Sequence, residues 1–583
     1  MTNAQAVSPA TPPNRAPVKV FTNTAAINAQ RSLNGTGAQL ARSVERMSSG
    51  LRINSARDDA AGLAISERMT SQIRGMTQAA RNANDGVSLL QTADGALSTL
   101  AENLQRVREL AVQASNGSLS TSDRAALNAE AQQLMQEVER VGRSSSFNGD
   151  LIFDQGNGSI RGDRNKAAVI DGLKLGWLEE AESKVSRFFG LQADGAAMSI
   201  ELSSFSDGAG NTAARVVGSG ADARGRIGDV RLQIDMADFT PPNLPNGGTA
   251  PYYNDRIVAH EVVHAVQYRS LNIASMSLGN GGADTWFLEG MAEFIQGADE
   301  RVADDITTAG SAAALISGTN LGSWGGGSAD YSVAYVAMRY LDDRLKSAGF
   351  SGGIKDMLQY MSRNDSTLDQ GMTQFLGIDA STFRTQFAAA AVNFINTKMN
   401  LTNADTGAVG GADASNGPVR TAESVLLNQG SRYGEQVMSG FRLSWEAVGS
   451  GTSSSRSLQV QVGANKGQAI DANIGAVNLQ ALGIDDLNLT TLPQRAIVQV
   501  DDALAYISSQ RAAVGAQMSR LEATINGLQR NTENTTASRS RVMDADYAKE
   551  AATLARSRIL QQAGVAMVAQ ANTLPQLALS LLR

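Results

Sequence analysis

Apolar residues recur at every seventh position near both ends of the chain, which predicts long helices that each need a partner. In the N-terminal part this stripe runs through Met69, Met76, Ala83, Leu90, Leu97, Leu104 and Ala111. In the C-terminal part it runs through Val500, Ile507, Val514, Leu521 and Leu528. Because a stripe on one helix cannot bury itself, the two similar stripes predict that the terminal helices pack against each other.

The seven-residue pattern stops in the middle of the chain, where a different kind of domain is expected. There, "MSIELSSF" and "VRLQIDM" alternate apolar and polar residues as strands do, and "LKLGWLEEAESKVSRFF" has one apolar helical side. We therefore expect a multi-domain protein, with a coiled-coil-like α-helical core and an inserted α+β domain. The expected parts are a disordered extension (1–20), an N-terminal helical domain (21–157), the insert (158–400), a linker with a return segment (401–457) and a C-terminal domain (458–583).

Composition excludes several classes of function. The 583 residues include no cysteine, so disulfides, thiolate metal sites and thiol nucleophiles are impossible. The net charge of −7 gives no general attraction to nucleic acid. No stretch approaches the ~18 continuous apolar residues of a membrane helix. The polar, proline-rich start lacks the apolar segment of a secretory signal, so we expect export by another route.

The insert contains the only two histidines of the chain, four residues apart in "HEVVH". Residues i and i+4 lie on one face of a helix, so His260 and His264 can bind one ion together. Neutral imidazole is a good zinc ligand. Glu261 projects to the rim of this face, where it can accept a proton from a water molecule. The H-E-x-x-H pattern is typical of zinc peptidases.

A catalytic zinc site needs a third protein ligand and an open fourth position. With no cysteine and no third histidine, this ligand is an aspartate or a glutamate, unless the ion uses a weaker donor. The helix predicted at "DTWFLEGMAEFIQG" offers Glu289 and, one turn later on the same face, Glu293. The group that stabilises the oxyanion must then be a tyrosine, an arginine or an asparagine.

Both ends of the chain resemble bacterial flagellin. The resemblance is carried by "SVERMSSGLRINSARDDAAGLAISERMTSQIRGM", "LQVQVGANKGQAIDANI" and the C-terminal segment that begins "RSRVMDADYAKEAATLARSRILQQ". It covers about residues 21–155 and 458–583, and it implies a small β-hairpin region at residues 458–474. The resemblance implies an extracellular filament, a homopolymer or a mixture with other flagellins, whose subunits leave through the flagellar type III channel. It also implies an export chaperone and a flagellar cap as partners.

The segment "LQRVRELAVQ" resembles the flagellin patch that the Toll-like receptor for flagellin contacts. In that family the arginine that matches Arg106 is central to the contact. The resemblance therefore implies a candidate immune-receptor contact at Arg106, on a surface that filament assembly would cover.

The insert resembles the gluzincin peptidases, since "EGMAE" matches the E-G-x-A-E stretch of their collagenase-like members. This resemblance implies that Glu289 is the third zinc ligand and that Glu293 supports a ligand imidazole, although the two could be exchanged. It also implies an oxyanion donor at Tyr331 or Tyr335, in "ADYSVAYVAMRYLDDRL".

A chain that combines these two resemblances is similar to the flagellinolysins, which are flagellins whose variable domain is a zinc endopeptidase. They imply Zn²⁺ as cofactor and extracellular proteins or peptides as substrates. The alternative is a structural flagellin with an inactive or metal-stabilised adhesive insert.

Overall fold

The computed structural model describes residues 22–156, 158–241, 243–244, 248, 252–401, 434–446 and 454–580. The expected disordered extension and most of the expected linker lie outside these residues. The described helices are α1 (Thr24–Ser49), α2 (Ala60–Ala114), α3 (Thr121–Ser144), α4 (Arg164–Gly172), α5 (Leu178–Phe189), α6 (Asn254–Ser270), α7 (Thr285–Gln296), α8 (Asp299–Ala309), α9 (Ala312–Gly318), α10 (Ser328–Ser347), α11 (Ile354–Asn364), α12 (Leu368–Leu376), α13 (Ala380–Lys398), α14 (Pro493–Met543) and α15 (Tyr547–Ser580). The described strands are β1 (Ser146–Phe147), β2 (Asp150–Leu151), β3 (Ala196–Ser203), β4 (Ala214–Ala221), β5 (Ile227–Asp235), β6 (Phe441–Trp445), β7 (Ser455–Gln461) and β8 (Ala469–Gly475).

The chain divides into two compact units, the first of which comprises residues 1–92, 457–473 and 513–583. In this unit α1 packs against α15, so the expected pairing of the terminal helices is confirmed. Glu550 accepts hydrogen bonds from Ser43 and Arg46, both at 3.0 Å. The outer faces of the two helices remain apolar, since Ile27 and Ile559 are 51% and 66% exposed. Such surfaces are typical of a protein–protein interface.

The second unit comprises residues 93–456 and 474–512 and includes the rest of the predicted stripes. Here the stripe residues of α2 and α14 are fully buried, among them Leu97, Leu104 and Ile507. Ion pairs also join these two helices, with Arg108 Nε 2.6 Å from Asp501 Oδ1 and Arg511 Nε 2.8 Å from Asp94 Oδ1. The seven-residue pattern therefore did predict which side chains become the core of the helical part.

A four-stranded sheet lies at the centre of the insert, in the order β4-β5-β3-β6. Strand β3 is parallel to both β5 and β6, and β4 is antiparallel to β5 at the edge. The alternation in "MSIELSSF" and "VRLQIDM" correctly predicted β3 and β5. The insert was expected to end at residue 400, whereas its fourth strand, β6, comes from the segment that was expected to be a linker and return.

Helices α6, α7 and α10 lie next to one another in the core of the insert, with α6 packed against the β4 and β5 strands. Gly290 allows α7 to approach α10 closely, because a Cβ atom there would lie 2.6 Å from the carbonyl oxygen of Ala334. Among the described residues, no helix has both the length and the apolar character that a membrane crossing requires.

A buried carboxylate fastens the first helix of the insert to the helical part of the same unit. Asp171 on α4 is fully buried and accepts two hydrogen bonds from Arg161, at 2.6 and 2.8 Å. Its Oδ2 also accepts a hydrogen bond from Nε of Arg495 on α14 at 3.0 Å. Buried charges of this kind are stabilising only when they are paired in good geometry, as these are.

Candidate metal centre

Helix α6 carries the two histidines on one face and an apolar surface on the other. Val258, Val262 and Val266 are completely buried in the core of the insert. Arg256, also completely buried, donates from Nε to the carbonyl of Gln296 at 3.0 Å and so fastens the start of α6 to the end of α7. This contact satisfies a carbonyl that the end of a helix leaves unpaired, and it fixes the relative position of the two helices.

Three donor atoms form a nearly equilateral triangle between α6 and α7. Nε2 of His260 lies 3.2 Å from Nε2 of His264, and Oε2 of Glu289 lies 3.2 Å and 3.3 Å from these two nitrogens. Zinc bonds of ~2.0–2.1 Å in tetrahedral geometry place neighbouring donors about 3.3–3.4 Å apart. The separations therefore fit a zinc ion with one coordination position left open.

The second nitrogen of each imidazole faces an acceptor, which determines where the proton lies. His264 Nδ1 lies 2.9 Å from Gln267 Oε1, and the Gln267 amide is oriented by its Nε2, which donates to the Leu288 carbonyl at 2.9 Å. His260 Nδ1 lies 3.2 Å from Glu293 Oε1. With the proton on each Nδ1, both Nε2 atoms present lone pairs to each other and to the third donor. Three such acceptors repel one another unless a cation lies among them.

The carboxylates around the imidazoles also favour a positive charge at this point. Burial lowers the pKa of His260, but the contacts with Glu289 and Glu293 outweigh burial and raise this pKa to about 10. Burial raises the pKa of Glu289, but the two imidazoles outweigh it and hold this pKa well below its usual range. A divalent cation can supply this charge in place of protons on the imidazoles.

The centre is not sealed from solvent. The side chains of His260, His264 and Glu289 are 12%, 13% and 19% exposed. Part of each of these side chains is therefore in contact with solvent, which a purely structural zinc site would not need.

Glu261 lies beside the triangle and is held by the edge strand of the sheet. One of its carboxylate oxygens is within 4.8 Å of a ring nitrogen of each imidazole. Its Oε2 accepts a hydrogen bond from the backbone N–H of Val216 on β4 at 2.7 Å. Glu289 makes the shorter contacts with both imidazoles, so its position suits a third donor, and Glu261 lies beside the triangle. Burial raises the pKa of Glu261 above its ordinary value, which makes the carboxylate a stronger base.

The structure distinguishes between the two tyrosines that the sequence offered. The Tyr331 ring lies 6.1 Å from the His260 ring, measured between centroids, and its hydroxyl has no hydrogen-bond partner among the described residues. Burial raises the pKa of Tyr331, so the phenol stays protonated and can donate. Tyr335 is completely buried, and its hydroxyl donates to Asp299 at 3.0 Å and accepts from Arg339 at 2.7 Å. The expectation of a catalytic role therefore passes to Tyr331 alone.

Three residues at the centre were not singled out in the sequence. Gln267 could have been found, since it follows His264 by one helical turn. No sequence pattern near the histidines indicates Val216 or Arg301, because these two residues lie on β4 and α8. Arg301 Nε lies 3.3 Å from Oε2 of Glu293.

Arg106 is far along the chain from this centre, on the exposed surface of α2. Its guanidinium donates to Glu130 on α3 at 2.7 Å and to Glu109 at 3.0 Å. The side chain is about half exposed, at 49%. The role of Arg106 as an immune-receptor contact stays a prediction.

Comparison with known proteins identifies the helical part of the chain. A model of the bacterial flagellin N-terminal helical region matches residues 20–158, and a model of the C-terminal helical region matches residues 497–582. Flagellin of Salmonella typhimurium is 30% identical over 97% of this chain and 99% of its own length. B-type flagellin of Pseudomonas aeruginosa is 32% identical, again over 97% of this chain and 99% of its own length.

These matches, together with the paired terminal helices, define a bacterial filament protein. The chain belongs to the flagellin family, and it is a subunit of the extracellular flagellar filament. The exposed apolar faces of α1 and α15 are consistent with burial between subunits of such a filament.

Proposed function

We propose that the insert of this flagellin is a zinc-dependent endopeptidase that cleaves extracellular proteins or peptides. The observation that carries the proposal is the triangle of His260, His264 and Glu289, whose donor separations suit tetrahedral zinc. The solvent access of these side chains supports a catalytic rather than a purely structural ion. Polymerisation would then repeat the site along the filament.

Each group at the centre has a chemical role in peptide hydrolysis. A zinc ion supplies Lewis-acid polarisation of the peptide carbonyl and activation of a water molecule. Glu261 takes the proton from the attacking water and delivers it to the leaving nitrogen. Tyr331 donates a hydrogen bond to the oxygen on which negative charge develops. Gln267 accepts from the Nδ1–H of His264, and the carboxylate of Glu293, 3.2 Å from His260 Nδ1, supports the other ring by its charge.

The edge strand beside the centre supports an extended peptide as substrate. Among the described strands β4 pairs only with β5, and its Val216 contacts Glu261. Free backbone groups on a sheet edge can pair with an added strand, which places a peptide bond next to the strand's neighbours. Peptide carbonyls bound in this way would lie close to Glu261.

Metal removal tests the proposal in the assembled protein. We expect filaments to cleave a mixture of unstructured peptides, a strong zinc chelator to reduce cleavage to the background rate, and added zinc to restore it. Filament mass, measured by sedimentation, should stay unchanged, because the paired helices contain no part of the triangle.

Two outcomes would contradict the proposal in different ways. Filaments that bind no zinc and cleave nothing would leave a structural flagellin with an inactive insert. Filaments with stoichiometric zinc and no cleavage of any peptide would indicate a metal-stabilised adhesive insert.

Substitution of the two tyrosines tests the assignment of the oxyanion donor. We expect Tyr331→Phe to lower kcat about 10²–10³-fold with little change in KM, because one donor to the transition state is lost. Tyr335→Phe is the matched control one helical turn away. It removes a buried hydroxyl bonded to Asp299, so it should lower the free energy of unfolding by about 1–3 kcal/mol and leave kcat unchanged. The reverse pattern in steady-state kinetics and thermal unfolding would refute the assignment.

A further inference from the structure

Glu293 is a buried carboxylate that needs a positive partner. Its side chain is 1% exposed, and Oε1 faces His260 Nδ1 at 3.2 Å. On the other side, Oε2 lies 3.3 Å from Nε of Arg301. A buried charge without such a partner is strongly unfavourable. Arg301 therefore supplies the opposite charge that Glu293 needs in this buried position, beside the imidazole of His260.

The guanidinium of Arg301 also lies between two aromatic rings. Its central carbon is 5.1 Å from the ring centroid of Tyr252 and 5.2 Å from that of Tyr331. These distances fall within the range of cation–π contacts. Tyr331 is held from a further direction by Trp324, whose ring meets it edge-on at 5.0 Å. The Arg301 side chain is itself only 11% exposed.

We propose that Arg301 is a positioning residue that holds both Glu293 and Tyr331 in place beside the metal centre. The proposal rests on the proposed peptidase function and adds a residue to it. One arginine links the carboxylate that orients a ligand imidazole to the tyrosine that stabilises the oxyanion. Tyr252 lies in the segment that immediately precedes α6. Its contact with Arg301 therefore also holds the start of the helix that carries the histidines.

Substitution of Arg301 by lysine or by methionine separates the two parts of its role, which are the charge beside Glu293 and the stacking against Tyr331. Lysine retains a positive charge for Glu293, but its compact ammonium cannot stack as a plane between two rings. Methionine fills similar space and retains neither the charge nor the planar group. The charge acts on zinc binding through Glu293, and the stacking acts on turnover through Tyr331.

The experiment measures zinc affinity and steady-state kinetics on the full chain. We expect Arg301→Met to weaken zinc binding, measured by competition with a chromophoric chelator, by about 10–100-fold, as for other residues that support metal ligands. Arg301→Lys should keep most of the zinc affinity and lower kcat with little change in KM. In a Tyr331→Phe background, Arg301→Lys should lower kcat no further.

Arg344→Lys is the matched control, because Arg344 stacks over the Tyr340 ring at 5.7 Å in the same domain. It should change neither zinc affinity nor kcat. The proposal is overturned if both Arg301 variants match the parent, or if Arg301→Lys lowers kcat equally with and without the Tyr331 hydroxyl. If Arg301→Met does not fold, Arg301→Lys and its combination with Tyr331→Phe still decide the question.

Failure of the peptidase function would look different. A parent protein that binds zinc and cleaves no peptide refutes the enzyme but leaves the zinc affinities to test the contact between Arg301 and Glu293. If the parent cleaves peptides and the Arg301 variants match it in zinc affinity and kcat, only the positioning role is refuted.

Discussion

Glu261→Gln is expected to abolish most peptide cleavage while the filament and its zinc remain. The amide has the same shape and can still accept the hydrogen bond from Val216 through its oxygen, so the local structure should persist. It cannot take a proton from water, however, and loss of a general base lowers rates by about 10²–10⁴-fold. The measurement is kcat on one defined peptide, together with zinc per subunit by metal analysis.

Glu201→Gln provides the control for this change of charge. Glu201 lies on β3, away from the centre, and one of its carboxylate oxygens likewise accepts a hydrogen bond, from Gln233 Nε2 at 2.7 Å. Its substitution should leave kcat at the parental value. Glu261→Gln filaments that cleave as fast as the parent would show that this glutamate is not the base.

Loss of Glu289 is expected to remove stoichiometric zinc, and loss of Glu293 to weaken zinc binding only in part. Glu289 Oε2 is one corner of the triangle, 3.2–3.3 Å from both imidazoles, whereas Glu293 reaches only the far nitrogen of His260. Residues that support a ligand in this way typically contribute about 10–100-fold in affinity. We therefore expect Glu293→Gln to fall in that range and Glu289→Ala to fall well beyond it, with no measurable cleavage.

Chelator competition at neutral pH measures both affinities, and circular dichroism shows whether each variant keeps its helices. The opposite order of affinities would mean that Glu293 contacts the ion and that Glu289 has the supporting role. Equal, parental affinities in both variants would mean that α7 contributes no ligand.

Local periodicity was enough to predict much of this molecule. The spacing of His260 and His264 places them on one helical face whatever the tertiary structure is. The seven-residue stripes likewise predicted buried positions such as Leu104 and Ile507, because burial along a paired helix repeats with the helix itself. The acidic helix that carries Glu289 was predicted because its residue pattern is contained within a single element.

Contacts between distant elements could not be predicted in this way. Val216 binds Glu261 from a strand 45 residues earlier, in a segment of "ARVVGSGA" whose glycines hide the strand pattern. Tyr331 and Tyr335 are one turn apart on the same helix, and only the packing of α8, with its Asp299, separates a cleft position from a core position. Side-chain chemistry is visible in the sequence, but the partner that each side chain finds depends on the fold.

Strand β6 has a practical consequence for anyone who wishes to excise the insert or graft it into another flagellin. A fragment that stops near residue 400 would leave one side of β3 bare, and bare strand edges invite aggregation between copies. The transplantable module therefore extends through residue 446. Poor solubility of a shorter fragment would then reflect the bare edge of β3 and would say nothing about the chemistry of the metal centre.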